Sequence, residues 1–147
     1  MTRYWVGVAS RDHVKVGEAG GFCQLGHGKE APLRRLSPGD GLVYYAPRTG
    51  MRTGERIQAF VAIGKIASGG IYRVRQAGNF CPFRRDIDYF GGSDAPISAL
   101  MDRLSFTKND ANWGLLMRRG LFQIPRGDFN AIANAMGVGA SAEEACR

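Results

Sequence analysis

The sequence predicts an α+β domain, with strands from the first two thirds of the chain and helices gathered mainly in the last third. Three observations carry this. Strand-like runs rich in aromatic and β-branched residues recur from Tyr4 to Phe90, separated by Gly, Pro and Ser clusters. Apolar stripes at i, i+3, i+4 and i+7 appear only after Pro96. At 147 residues, 44% of them hydrophobic, the chain can bury one core without staples.

Tyr4 to Ala9 is too continuously apolar for a strand with a wet face, so it is expected at the centre of the sheet. Ser10 suits a helix N-cap and Asp12 the positive end of a brief helix, with Val14 and Ala19 inward and Gly20-Gly21 as its stop. The helix start puts Ser10, Arg11 and Asp12 at the rim of whatever the first strand opens onto. Phe22, Cys23 and Gln24 then follow on a glycine loop, where an aromatic can either wall a stacking slot or plug the core. Ser37-Pro38-Gly39-Asp40 reads as a type II turn into a strand, Leu42 to Ala46, with one of Tyr44 and Tyr45 inward and the other outward.

Arg48 to Arg56 reads as a mobile basic loop. Arg56 to Ile66 and Ile71 to Arg75 read as a hairpin joined at Ser68-Gly69-Gly70, with Arg73 and Arg75 on one solvent face. Gly78 to Asp86 interleaves Phe80 and Phe83 with Arg84 and Arg85 ahead of a strand toward Tyr89, an arrangement that fits base stacking beside phosphate pairing. Ile97, Leu100, Met101 and Leu104 mark a helix stripe, and Trp113 to Met117 a short helical piece. Leu121 to Ile124 is a last strand. Asp128 is expected to cap a closing helix that buries Phe129, Ile132, Ala133 and Met136 and stops at Gly137. One domain over residues 2–137 and a flexible tail over 138–147 complete the expected organisation.

The formal charge of +7 lies entirely in the first half: Met1 to Gln76 holds twelve Lys and Arg against five Asp and Glu, the remainder eight against eight. Such a bias fits a surface facing phosphates, and it equally fits plain solubility. No apolar run approaches a membrane span and no signal-type N-terminus is present, so a cytoplasmic protein without membrane attachment is expected. Cys23, Cys81 and Cys146 are too scattered for a disulfide framework, and Cys23 with His27 lacks a second pair for zinc. Neither metal nor cofactor is expected.

Tyr4-Trp5-Val6-Gly7-Val8-Ala9-Ser10, Gly20-Gly21-Phe22-Cys23-Gln24, His27-Gly28-Lys29, Pro38-Gly39-Asp40 ahead of Tyr44-Tyr45, and Pro82-Phe83-Arg84-Arg85 together resemble the EVE domain family. The resemblance runs over roughly Thr2 to Met136. It implies a PUA-like fold, a mostly antiparallel β pseudo-barrel with surrounding short helices and a C-terminal helix, related to YTH domains. It also implies a non-catalytic module that holds a flipped, modified base of DNA or RNA in an aromatic pocket, such as methylated or hydroxymethylated cytosine or methylated adenine. On that resemblance the pocket is expected from Ser10, Arg11, Phe22, Cys23, Gln24, Asn79 and Phe83, and the phosphate contacts from Lys29, Arg34, Arg35, Arg84 and Arg85. Two other readings stay open: a PUA-like RNA binder that reads shape and backbone only, and an enzyme on a nucleotide-like small molecule with Cys23 as nucleophile and His13 or His27 as base.

Overall fold

In the computed structural model, which describes residues 1–76 and 78–145, the central position of the first strand is borne out. β1 (Tyr4–Val8) lies between β3 (Gly41–Gly50), its parallel neighbour, and β7 (Leu121–Ile124), its antiparallel one. The sheet continues from β3 through β4 (Thr53–Arg73) and β5 (Phe83–Tyr89) to the short β2 (Phe22–Cys23), and β6 (Ala95–Pro96) pairs with β4 off this path. Every pairing but β1 with β3 is antiparallel.

Both faces are covered, which explains the continuous apolar character of β1 and β3. Val6, Val43, Tyr45, Phe60 and Phe129 belong to one buried cluster, and Trp5, Leu42, Tyr44, Val61 and Leu33 to the other. Tyr44 and Tyr45 therefore do point to opposite faces, yet both are buried, because the face expected to meet solvent carries a second layer. Each such large side chain contributes about 1.5–3 kcal/mol when fully buried.

The turn before β3 forms as expected: Asp40 N–H donates to Ser37 C=O at 3.0 Å, and Gly39 takes φ +89°, which a side chain would resist. Asp40 itself is buried. Its carboxylate accepts from Trp5 Nε1 at 3.1 Å and from the backbone amides of Arg3 and Ser37, each at 3.0 Å, tying the start of β1 to the turn. Two arginines draw the ends of the sheet together through α2 (Glu30–Arg34) and the residues just after it. Arg35 donates to Leu121 C=O on β7 at 3.3 Å, and Arg85 on β5 donates to Leu36 C=O at 2.9 Å.

Several local expectations are corrected. Ser68-Gly69-Gly70 does not turn a hairpin; β4 runs through it with a bulge between Ile66 and Ile71, because β5 offers pairing partners on both sides. The Arg48 to Arg56 stretch is no loop but the tip of the β3–β4 hairpin, turning at Met51 and Arg52. After Pro96 the chain forms only a 3-10 turn, Ile97–Ala99, although Ile97, Leu100 and Leu104 are buried as their spacing implied. Pro125 stands at the cap of α3 (Arg126–Ala135). Asp128 sits within its first turn, its carboxylate accepting from the backbone N–H and Oγ of Ser105. Where a flexible tail was expected, α4 (Gly139–Ala145) packs Ala142 into the core, while Cys146 lies outside the described residues.

Candidate nucleic-acid interface

The C-terminal end of β1 opens onto a cavity of about 720 Å³. Val8, Ala9 and Ser10 form part of its wall, and α1 (Arg11–Gly20) starts there, with Ser10 Oγ accepting from His13 N–H at 3.4 Å. The helix cap expected from Ser10 is thus present, as is the stop at Gly21, but Gly17 rather than Ala19 is the inward partner of Val14. Opposite stand the β3–β4 hairpin tip and the 3-10 segment Trp113–Arg119, which deliver Arg48, Arg52, Arg118 and Arg119 to the lining. No acidic side chain lines the cavity among the described residues. The apolar part comes from Met51, Phe80 and Met117, of which Phe80 is the one aromatic hydrocarbon ring and is 44% exposed.

The loop of residues 24–28 supplies the polar centre. Tyr44 Oη donates to Gln24 C=O at 2.7 Å, anchoring the loop to the sheet from beneath. Gly26, His27 and Gly28 all take positive φ, and a Cβ on Gly28 would lie 2.6 Å from Pro82 Cβ, so the loop can sit this close to the residue before β5 only with glycine there. His27 and His13 both border the cavity. Desolvation, then the nearby Arg84 and His27 charges, lower the pKa of His13, which keeps its imidazole neutral at physiological pH.

Of the pocket residues expected from sequence, the structure brings Ser10 and Gln24 into this cavity and places the others elsewhere. Arg11 pairs with Asp94 at 2.7 Å. Phe22 stands on β2 opposite Asp86, its ring covered by the Arg84 guanidinium at 3.7 Å. Cys23 is buried beside β5, and burial pushes its thiol up to about 12, which disfavours the thiolate. Asn79 is exposed on the turn before Phe80, and Phe83 packs under Arg73 at 4.9 Å.

The expected phosphate contacts divide in the same way. Lys29 is exposed, and Arg34 is exposed but paired with Glu30 at 3.0 Å. Arg35 lies over the Trp5 ring at 5.0 Å and borders a second, smaller cavity beside β7, which shares Arg119 with the first. Arg85 is buried and committed to Leu36, so it meets no phosphate. Arg84 turns to the cavity wall, where its Nε donates to Gln24 Oε1 at 2.6 Å.

What the sequence reading missed are Phe80 and the four rim arginines. Phe80 was visible in the Gly78 to Asp86 patch beside Phe83, and Arg48 and Arg52 in the basic stretch; Arg118-Arg119 ahead of Gly120 carried no signal beyond charge.

A mixed sheet with one parallel pair, short helices over both faces and a cavity at the end of the first strand make up a fold shared with solved YTH domains. The Mmi1 YTH domain solved in complex with RNA superposes with a TM-score of 0.60 at 7% identity, covering 97% of this chain and 82% of that one. A hypothetical protein from Leishmania major does so at 0.59 and 11%, covering 100% and 98%. The chain belongs to the EVE domain family, whose model matches residues 3–135. It is 48% identical to UPF0310 protein msl3206 of Mesorhizobium japonicum, over 99% of both chains. It is 46% identical to UPF0310 protein YdcG of Bacillus subtilis, over 95% of this chain and 96% of that one. No helix among the described residues is long and apolar enough to cross a membrane.

Proposed function

We propose that this protein is a non-catalytic nucleic-acid-binding module, a single domain acting in the cytoplasm, that takes one flipped, modified base into the cavity at the end of β1. The observation that carries the reading is the lining of that cavity: polar Ser10 and Gln24 on one side, apolar Phe80, Met51 and Met117 on another, and Arg48, Arg52, Arg118 and Arg119 with no acid among the described residues. Extruding a base costs a few kcal/mol, which stacking at about 1–3 kcal/mol per base and hydrogen bonds to its edge offset. Phe80 serves as the stacking face in place of Phe22 and Phe83. An added methyl or hydroxymethyl group gains where it fills apolar space beside the methionines. The arginines hold the flanking phosphates, so they set affinity while the lining sets specificity. The fold similarity to an RNA-bound YTH domain supports the same reading.

The test is binding at one fixed salt to matched short DNA and RNA oligonucleotides, single- and double-stranded. They carry unmodified bases, methylated or hydroxymethylated cytosine, or methylated adenine. A preference for one modified base is expected, abolished by Phe80→Ala. Equal, salt-sensitive binding to all would replace it with the backbone-only RNA-binding reading.

A further inference from the structure

The second cavity, about 590 Å³, lies along β7, the strand at one end of the sheet. Val8 N–H donates to Gly120 C=O, and an antiparallel strand alternates the direction of its backbone groups. Phe122 and Ile124 therefore turn their N–H and C=O toward β1, while Leu121 and Gln123 turn theirs to the open side. Arg35 donates to Leu121 C=O at 3.3 Å and lies over the Trp5 ring at 5.0 Å, which holds its guanidinium at the cavity. Arg11 and Arg34 are paired with carboxylates, but among the described residues none pairs with Arg35 or Arg119, and no acidic side chain lines this cavity. Its apolar surface comes from Phe106, Leu116 and Pro125, the Phe106 ring standing at 76° to that of Phe122. Arg119 borders the base cavity as well, so one side chain spans the boundary between the two.

We propose that the second cavity is a nucleotide subsite: the strand whose flipped base occupies the cavity at the end of β1 runs on over Arg119 and lays its next nucleotide here. The inference rests on the first cavity being the base site and adds where the strand goes from it. Arg119 holds the phosphate joining the two nucleotides. Arg35 holds the phosphate after it, with the outward Gln123 N–H as a further donor. The sugar and base between those phosphates rest on Phe106, Leu116 and Pro125. A bare anion would leave that apolar side uncovered, and a peptide strand adding to β7 would need the Leu121 C=O that Arg35 already occupies. Phosphate pairing and apolar contact are open to all four bases, so the subsite sets affinity and the direction of the strand rather than its sequence.

The experiment neutralises one phosphate at a time. The carrier is the tightest-binding single strand, DNA or RNA, among those with methylated cytosine, hydroxymethylated cytosine or methylated adenine at the centre, and a methylphosphonate replaces each linkage in turn. On one side of the central base the first and second linkages should each cost about tenfold in affinity, the loss of one charge-assisted contact, and the third nothing. Arg35→Gln, which can still donate to Leu121 C=O, should abolish the effect of the second linkage and keep that of the first; Arg119→Gln should do the reverse. Gln123→Glu puts a carboxylate beside the second phosphate from an exposed position. It should weaken the fully charged strand about tenfold and the strand neutral at the second linkage under about threefold, and it decides the matter if Arg35→Gln does not fold. A second linkage without effect, an effect unchanged in folded Arg35→Gln, or equal effects at every linkage overturns the inference, while a base preference kept in those experiments leaves the first cavity as the base site. A dimer in ultracentrifugation that Gln123→Pro dissociates, with the second linkage inert, overturns it by assigning the β7 edge to a second copy of this chain. Failure of every strand to bind overturns the base-site reading and this inference together.

Discussion

Replacing Arg118 and Arg119 together by alanine should change the salt dependence of binding more plainly than any other property. Among the described residues four arginines border the cavity, Arg48 and Arg52 from the hairpin tip and Arg118 and Arg119 from the 3-10 segment. If each neutralises one phosphate of a single strand, log K falls with log salt at a slope of about −0.7 per contact, or about −2.8 for the four. Between 50 and 200 mM salt the native protein would then lose about 50-fold in affinity and the double variant only about 7-fold. Arg34→Ala serves as the control, since Arg34 is paired with Glu30 outside the cavity and its loss should leave the slope unchanged. The assay is fluorescence anisotropy of a labelled single-stranded oligonucleotide at several salt concentrations. A slope that survives in the double variant, or that falls in Arg34→Ala instead, would refute the path of the phosphates proposed here.

Other consequences can be checked more simply. In folded protein at neutral pH, thiol reagents should modify Cys81 well before Cys23, because Cys81 is only half-buried whereas the Cys23 thiol is buried and holds its proton up to about 12. The unfolded chain releases that proton near the ordinary value of 9.0, so stability is full below pH 9 and falls above it, by about 1.4 kcal/mol per pH unit from Cys23 alone until the folded thiol titrates. Buried Tyr44 and half-buried Tyr89, whose pKa values are also raised by desolvation, add to the loss above their ordinary 10.0, and urea melts from pH 7 to 11 would show it. Asp40→Ala strands three donors, the Trp5 indole among them, and should cost at least about 3 kcal/mol in denaturant unfolding. Gly41→Ala would drive a Cβ to 2.7 Å from the Phe129 ring and 2.9 Å from that of Tyr4, an overpacking of about 1–3 kcal/mol readable as a lower melting temperature.

The elements that could be read from sequence are those whose signal is local. β1 announced itself by unbroken apolarity, the turn at Pro38-Gly39 by its dihedral demands, and α3 by a stripe in which Phe129, Ile132, Ala133 and Met136 are all buried. Ser68-Gly69-Gly70 misled because glycines permit a bulge as readily as a turn, and only the presence of β5 decides between them. Asp128 looked like a cap because its partner, Ser105, lies far away in sequence. The candidate site was legible to a similar depth. Ser10 and Gln24 follow directly on β1 and β2; the position of β1 followed from pattern, whereas Phe22 and Cys23 read as a glycine loop and form β2 because β5 offers them a pairing partner. Phe83 was preferred over Phe80 because both are phenylalanines in one basic patch; pairing with Arg73 places Phe83 in the sheet, and Phe80 is left at the rim. Arg118 and Arg119 arrive only through the pairing of Gly7 with Leu121.

That last pairing also orders events during synthesis. β1 is made long before its antiparallel neighbour β7, and Val8 N–H waits for Gly120 C=O at 2.9 Å. Until the ribosome has released the stretch around Leu121, β1 has one unpaired edge and the cavity lacks the wall that carries Met117 to Gly120. Contacts of such sequence separation close late, because the loop entropy must be met before they form. A nascent chain therefore carries one side of β1 as an open edge until the stretch around Leu121 emerges, and gains an intact cavity only then.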